Sequence, residues 1–144
     1  MPNLEDTLLL LDTHVWIWVM NGEVEMLSPT CRNAIVRASQ IGKLRVSAIT
    51  VWEVGMLEAK GRIRLTKGCL DWVNEALSAP GLALLPLSPE VAIESSRLPG
   101  SFHGEPADRI LAATSRIYNA ILVTQDSKLL DYGQENYLSV MAAR

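Results

Sequence analysis

Five short apolar runs, each followed by a stretch with helical spacing, constrain this chain more than any other feature. Residues 7–11 (TLLLL), 44–48 (LRVSA), 82–85 (LALL), 121–123 (ILV) and 138–141 (LSVM) read as strands. Helices with recognisable starts lie between them. Ser28-Pro29 supplies an N-cap and a proline at the first helical position; Cys31, Ala34, Ile35 and Ala38 then form one apolar face, and Gly42 stops the helix. Ser88-Pro89-Glu90 opens another helix to about Arg97, and residues 69–79 give a further one. Pro106 opens a helix whose buried face would hold Ala107, Ile110, Leu111, Thr114, Ile117 and Tyr118. Strand alternating with helix implies an α/β fold with a parallel sheet covered on both faces by right-handed crossovers. In such sheets, sites form at the carboxyl ends of strands where the strand order reverses.

The stretch LLLLDTHVWIW, residues 8 to 18, puts a carboxylate at one of those ends. A charge beside a core costs free energy unless something compensates it, so Asp12 needs a partner. Three further acids occupy comparable places, and each has a local explanation. Asp12 would cap the helix that follows it. Glu53 closes TVWE, which matches a capping box with Thr50 as N-cap. Asp108 sits in the first turn of the helix opened by Pro106, where the macrodipole favours an acid. Asp126 would cap the short helix DSKLLDY.

A cap needs only a side-chain oxygen, and serine or threonine serves as well. Four ionised groups on one rim would repel one another by about 4 kcal/mol per close pair at an effective dielectric of 20. A hard divalent cation such as Mg²⁺ or Mn²⁺, with its all-oxygen preference, removes most of that repulsion. A carboxylate-only site without a phosphate-gripping glycine loop suits phosphodiester hydrolysis, in which metal activates water and stabilises attacking and leaving oxygens.

The formal charge of −3 argues at first against a nucleic-acid partner, but discounting four metal-neutralised acids turns it into +1. Apolar residues make up 49% of 144, enough for one domain spanning 1–144 with a sizeable core. Cys31 and Cys69 match no ligand spacing and read as reduced thiols, which fits a cytoplasmic, reducing compartment. Residues 7–20 are too short an apolar run to cross a bilayer, and Glu5 and Asp6 before them are opposite to a secretory leader.

Four segments, LLLLDTHVWIW, SAITVWE, HGEPADRILAATS and ILVTQDSKLLDYG, resemble in sequence and order the PIN-domain ribonucleases, and most of all the VapC-type toxins of type II toxin–antitoxin systems. The resemblance runs from about Leu8 to Gly133. It implies a three-layer α/β/α sandwich with a mainly parallel central sheet and a Mg²⁺- or Mn²⁺-dependent endoribonuclease. It also implies a homodimer neutralised by a cognate antitoxin protein. Its acidic quartet falls on Asp12, Glu53, Asp108 and Asp126. Asp12 and Asp108 are then the first choices as direct ligands, while Glu53 and Asp126 complete the site, directly or through water. Thr124 would hydrogen-bond within that network. Many relatives have aspartate where this chain has Glu105, which is not counted as a ligand.

Other residues carry weaker expectations. His14 reads as a hydrogen-bonded neighbour of the site, and His103 as a loop residue within reach of substrate. Arg109 would pair with a carboxylate or grip a phosphate bidentately. Trp16 and Trp18 read as core or dimer contacts, their helix offering apolar surface to a partner. Lys60, Arg62, Arg64 and Lys67 form a basic run, by default a solvated face and otherwise a contact for RNA backbone or an acidic antitoxin. Two rival readings stand beside the nuclease: a phosphotransfer receiver or phosphatase, and a PIN-like RNA- or protein-binding module without turnover. The first wants a DxD pair or a late-strand lysine, whereas His14 holds the third position and Lys128 lies in a helix.

Overall fold

The computed structural model describes residues 7–144. Strands β1 (Leu9–Leu11), β2 (Leu44–Ser47), β3 (Leu82–Leu85), β4 (Ile121–Thr124) and β5 (Val140–Ala142) form one sheet in the order β3-β2-β1-β4-β5. Every neighbouring pair runs parallel, with Leu10 level with Arg45 on one side and Leu122 on the other. The chain works outward from β1 through β2 to β3, then returns to add β4 on β1's other edge. The strand order therefore reverses between β1 and β4, which is where Asp12 and Asp126 emerge.

Successive strand residues point to opposite faces, and the core divides accordingly. Leu9, Leu11, Val46 and Val123 face helices α1 (Thr13–Met20), α2 (Pro29–Gln40), α3 (Ala48–Ala59) and α4 (Cys69–Leu77). Leu10, Leu85 and Leu122 face α5 (Pro89–Ser96), α6 (Pro106–Ile117) and α7 (Ser127–Gln134). This is the three-layer α/β/α sandwich that the sequence implied. A single turn of 3₁₀ helix, Val24–Met26, links α1 to α2.

Local chemistry sets the helix ends. Ser28 Oγ accepts from the Cys31 amide at 3.1 Å, and Ser88 Oγ from the Val91 amide at 3.2 Å. Helix α2 stops because Gly42, just past its end, takes a left-handed φ of +73° that other residues resist.

Four expectations need correction. Helix α3 starts at Ala48 with Ser47 as its cap, the Oγ accepting from the Ile49 amide at 3.2 Å. Strand β2 runs into α3 without a loop, so Thr50 is inside the first turn and fully buried, not an N-cap. Its Oγ1 has no partner among the described residues. The buried face of α6 is wider than its periodicity suggested. Wedged against α5, α3 and β4, the helix also buries the small residues Ala112, Ala113 and Ser115, while Ile117 is exposed. The Trp16–Trp18 helix offers little apolar surface to a partner: Trp16 is 0% exposed and packs edge-on against Trp72 at 5.2 Å, and Trp18 is half-buried. The fourth, Arg109, concerns the site and is described there.

Cys31 and Cys69 are free thiols, and burial pushes Cys31 up to about 11. Among the described residues no helix is long and apolar enough to cross a membrane.

Candidate active site

The reversal point gathers the acids. Asp12 leaves β1 with its amide donating to the Val123 carbonyl of β4 at 3.0 Å, which locks the two strand ends together. Its Oδ1 accepts from the Thr13 amide at 2.7 Å and its Oδ2 from the Thr124 hydroxyl at 2.6 Å. Thr124 Oγ1 in turn accepts from the Asp126 amide at 3.0 Å, so one hydroxyl couples the two aspartates, in the role the resemblance implied for it. Asp126 caps α7, its Oδ2 accepting from the Leu129 amide at 3.0 Å. Asp108 Oδ2 accepts from the Glu105 amide at 3.1 Å at the start of α6. Glu53 reaches across from α3, and its Oε1 accepts from the Thr13 hydroxyl at 2.7 Å.

The capping reading and the metal reading are therefore compatible. A carboxylate has two oxygens and about four lone-pair sites. In Asp108, Asp126 and Glu53 one oxygen is held by a protein donor, and the other takes no hydrogen bond among those described. The tether fixes the group; the second oxygen is left for a ligand.

All four carboxylates line one pocket of about 340 Å³, together with Thr13, His14, Trp18 and Gln125. Larger hollows exist elsewhere, so volume is not what marks this one; convergent charge is. Burial raises Asp12 above the usual aspartate range and the charge of Asp126 raises it further, against the opposing bonds from Thr124 and Thr13. Glu53 is raised by burial, then by Asp12, Asp108 and Asp126, with the Thr13 bond opposing. Asp108 is raised by burial, then by Asp126 and Asp12, while the Glu105 amide and Lys128 oppose. Asp12, Glu53 and Asp108 are each raised by at least one neighbouring acid, as groups sharing one low-dielectric space are.

The donor set is all oxygen, half-buried and like-charged, which fits a hard divalent cation. Among the described residues no three His, Cys, Asp or Glu side chains are gathered tightly enough to enclose an ion. The site is a set of four acids lining one pocket.

The remaining candidates divide. His14 is exposed and lines the pocket, with its ring 6.3 Å from that of Trp18. His103 lies instead beside a separate hollow of about 150 Å³ with Lys128 and Asp131. Glu105 is exposed and contributes its backbone amide to Asp108, not a carboxylate to the pocket. Arg109 departs from expectation. Its Nε donates to the Ser95 carbonyl and its Nη1 to the Phe102 carbonyl, both at 2.9 Å, so the guanidinium fastens the 97–105 loop to α5 and α6. The Ser95 carbonyl is one of those a helix end leaves without an intrahelical partner, and the guanidinium satisfies it. Thr13 went unnoticed in the sequence. Its only signal there is a hydroxyl directly after the first acid, and its partner is 40 residues away.

The fold and site together are a parallel α/β sheet with an acid-lined pocket at its reversal point. The PIN domain family model matches residues 9–135, and the chain belongs to that family. It is 36% identical over 123 residues to Ribonuclease VapC22 of Mycobacterium tuberculosis, covering 85% of this chain and 90% of that protein. Among solved structures, VapBC2 from Rickettsia felis bound to a DNA fragment from its promoter superposes with a TM-score of 0.68 and 16% identity, covering 96% of this chain and 100% of that one. DNA-bound VapBC from Salmonella typhimurium gives 0.68 and 15%, covering 96% and 99%.

Proposed function

We propose that this protein is a metal-dependent endoribonuclease, the toxin of a type II toxin–antitoxin pair, and that residues 1–144 act as one domain. The observation that carries the reading is four carboxylates lining one pocket in a chain 36% identical to a named ribonuclease. Asp12 and Asp108 would hold Mg²⁺ or Mn²⁺ directly, with Glu53 and Asp126 completing the set. Such an ion, when bound, polarises the phosphodiester and acidifies water for attack. Thr124 holds Asp12 and Asp126 in register, and Thr13 holds Glu53. The substrate class is RNA, and the ribonuclease relative supports that choice. The test is digestion of total RNA by the purified protein in Mn²⁺: cleavage is expected and EDTA stops it. Undiminished cleavage in EDTA contradicts the metal; no cleavage in Mn²⁺ favours a binding module without turnover.

The partners follow the same reading. A cognate antitoxin is supported by the toxin–antitoxin complexes among the structural neighbours. Free thiols at Cys31 and Cys69 support a cytoplasmic setting. For the homodimer, the supporting surface is a mainly apolar groove of about 560 Å³ lined by Ala48, Ile49, Trp52, Leu87, Ala107 and Ile110, together with the acids Glu53 and Glu105. Trp52 is 56% exposed. An exposed tryptophan beside an apolar groove is surface that a second copy of the chain would cover. Trp52→Glu is expected to convert a dimer to a monomer in light scattering; a wild type that is already monomeric overturns the dimer.

A further inference from the structure

We propose that Thr13 is a positioning residue for Glu53: its hydroxyl fixes one carboxylate oxygen of Glu53 so that the other is presented to the cation. The inference rests on the metal-dependent reading above and adds a residue to it.

Three of the four acids are anchored by backbone amides. Asp12 takes the Thr13 amide, Asp108 the Glu105 amide and Asp126 the Leu129 amide. Those donors are rigid, and an aspartate has only two rotatable bonds to fix. Glu53 differs on both counts. Its arm is longer by one methylene, it comes from the middle of α3, and among the described residues its one hydrogen bond is to a side chain, Thr13 Oγ1 at 2.7 Å. Without that bond its carboxylate is free to swing among rotamers, and like-charge repulsion from Asp12, Asp108 and Asp126 drives it away from the pocket.

Thr13 is built to hold it. The residue is 2% exposed, so little solvent reaches it. It is β-branched and sits in the first turn of α1, where χ1 is restricted. Its backbone amide already donates to Asp12, so one residue ties together acids from two different elements, β1 and α3. Outer partners of this kind, which orient ligands without touching the ion, change metal affinity by about 10–100-fold when removed.

Mn²⁺ titration calorimetry tests it, with Thr13→Val replacing the hydroxyl by a methyl of the same shape. Mn²⁺ binding is expected to weaken about 10-fold, with Thr13→Ser staying within about 3-fold of wild type. In a Glu53→Ala background, where there is nothing left to position, Thr13→Val is expected to change the affinity by less than about 2-fold. Should the valine variant not fold, Thr13→Cys, a weaker donor of similar size, takes its place in the same cycle. Equal losses in both backgrounds mean that Thr13 acts through folding alone, and they overturn the proposal. Wild-type affinity in Thr13→Val overturns it too, leaving the metal reading intact. A wild type that binds no Mn²⁺ overturns both.

Discussion

Asp12→Asn is expected to lower RNA cleavage on the order of 10³-fold, the scale seen when one group that stabilises developing charge is removed, while the protein stays folded. Asparagine keeps an oxygen to accept from the Thr13 amide. Its NH₂ would face Thr124 Oγ1, a hydroxyl with lone pairs to receive it. The Thr13 bond survives and the Thr124 bond reverses direction, the Thr124 hydroxyl losing its acceptor, and the charged oxygen ligand is lost. Asp108→Asn should behave similarly, since the Glu105 amide needs only one acceptor. Asp131→Asn is the control: this exposed acid lies one turn beyond Asp126, lines a different hollow and should leave cleavage unchanged. Circular dichroism alongside an end-mapped RNA digest separates lost chemistry from lost fold. Near-wild-type cleavage by folded Asp12→Asn would remove Asp12 from the mechanism.

The second large effect is on stability without metal. Folding raises the proton affinity of Asp12, Glu53 and Asp108 above the ordinary 3.8 and 4.5, chiefly through burial. Over the interval between those ordinary values and the raised ones, the folded protein binds more protons than the unfolded chain. Stability then falls as pH rises. The contribution is fully present below about pH 4 and is lost as each buried acid ionises. In EDTA, therefore, melting should fall as pH rises above the ordinary carboxylate range. Asp12→Asn, having one charge fewer to bury, should melt higher than wild type at pH 7 by about 3 °C, the shift for roughly 1 kcal/mol in a domain of this size. Melting curves across pH 4–8 check both statements. A wild type that gains stability steadily as pH rises above that range would contradict them.

Much of the fold was legible because its signals are local. LLLL before Asp12 marks a doubly buried strand, and Ser28-Pro29 and Ser88-Pro89 cap the helices they were expected to cap. Asp12, Asp108 and Asp126 were legible because each stands at a strand end or helix start, places that a parallel sheet brings to one rim, whereas Glu53 comes from the middle of α3. What was not legible depended on distant partners. TVWE has the pattern of a capping box, yet β2 continues into α3 and the helix begins three residues before Val51, leaving Glu53 to meet Thr13 instead. Nothing within ten residues of Arg109 in the sequence distinguishes a phosphate grip from a clasp on Ser95, which lies 14 positions back on another helix. Trp16 and Trp52 are both tryptophans on apolar helices, within four residues of an acid of the quartet. Only the packing of Trp72 over Trp16 decides which is core and which is surface.

That a cation holds these acids together is tested most directly by adding Mn²⁺ to the two proteins whose metal-free order is already specified. In EDTA, Asp12→Asn melts above wild type. With Mn²⁺ at about 100 times its dissociation constant, wild type should gain about 2.7 kcal/mol and overtake the variant, which should hardly move. If Mn²⁺ leaves both melting temperatures unchanged, or raises them equally, the four carboxylates are not sharing an ion.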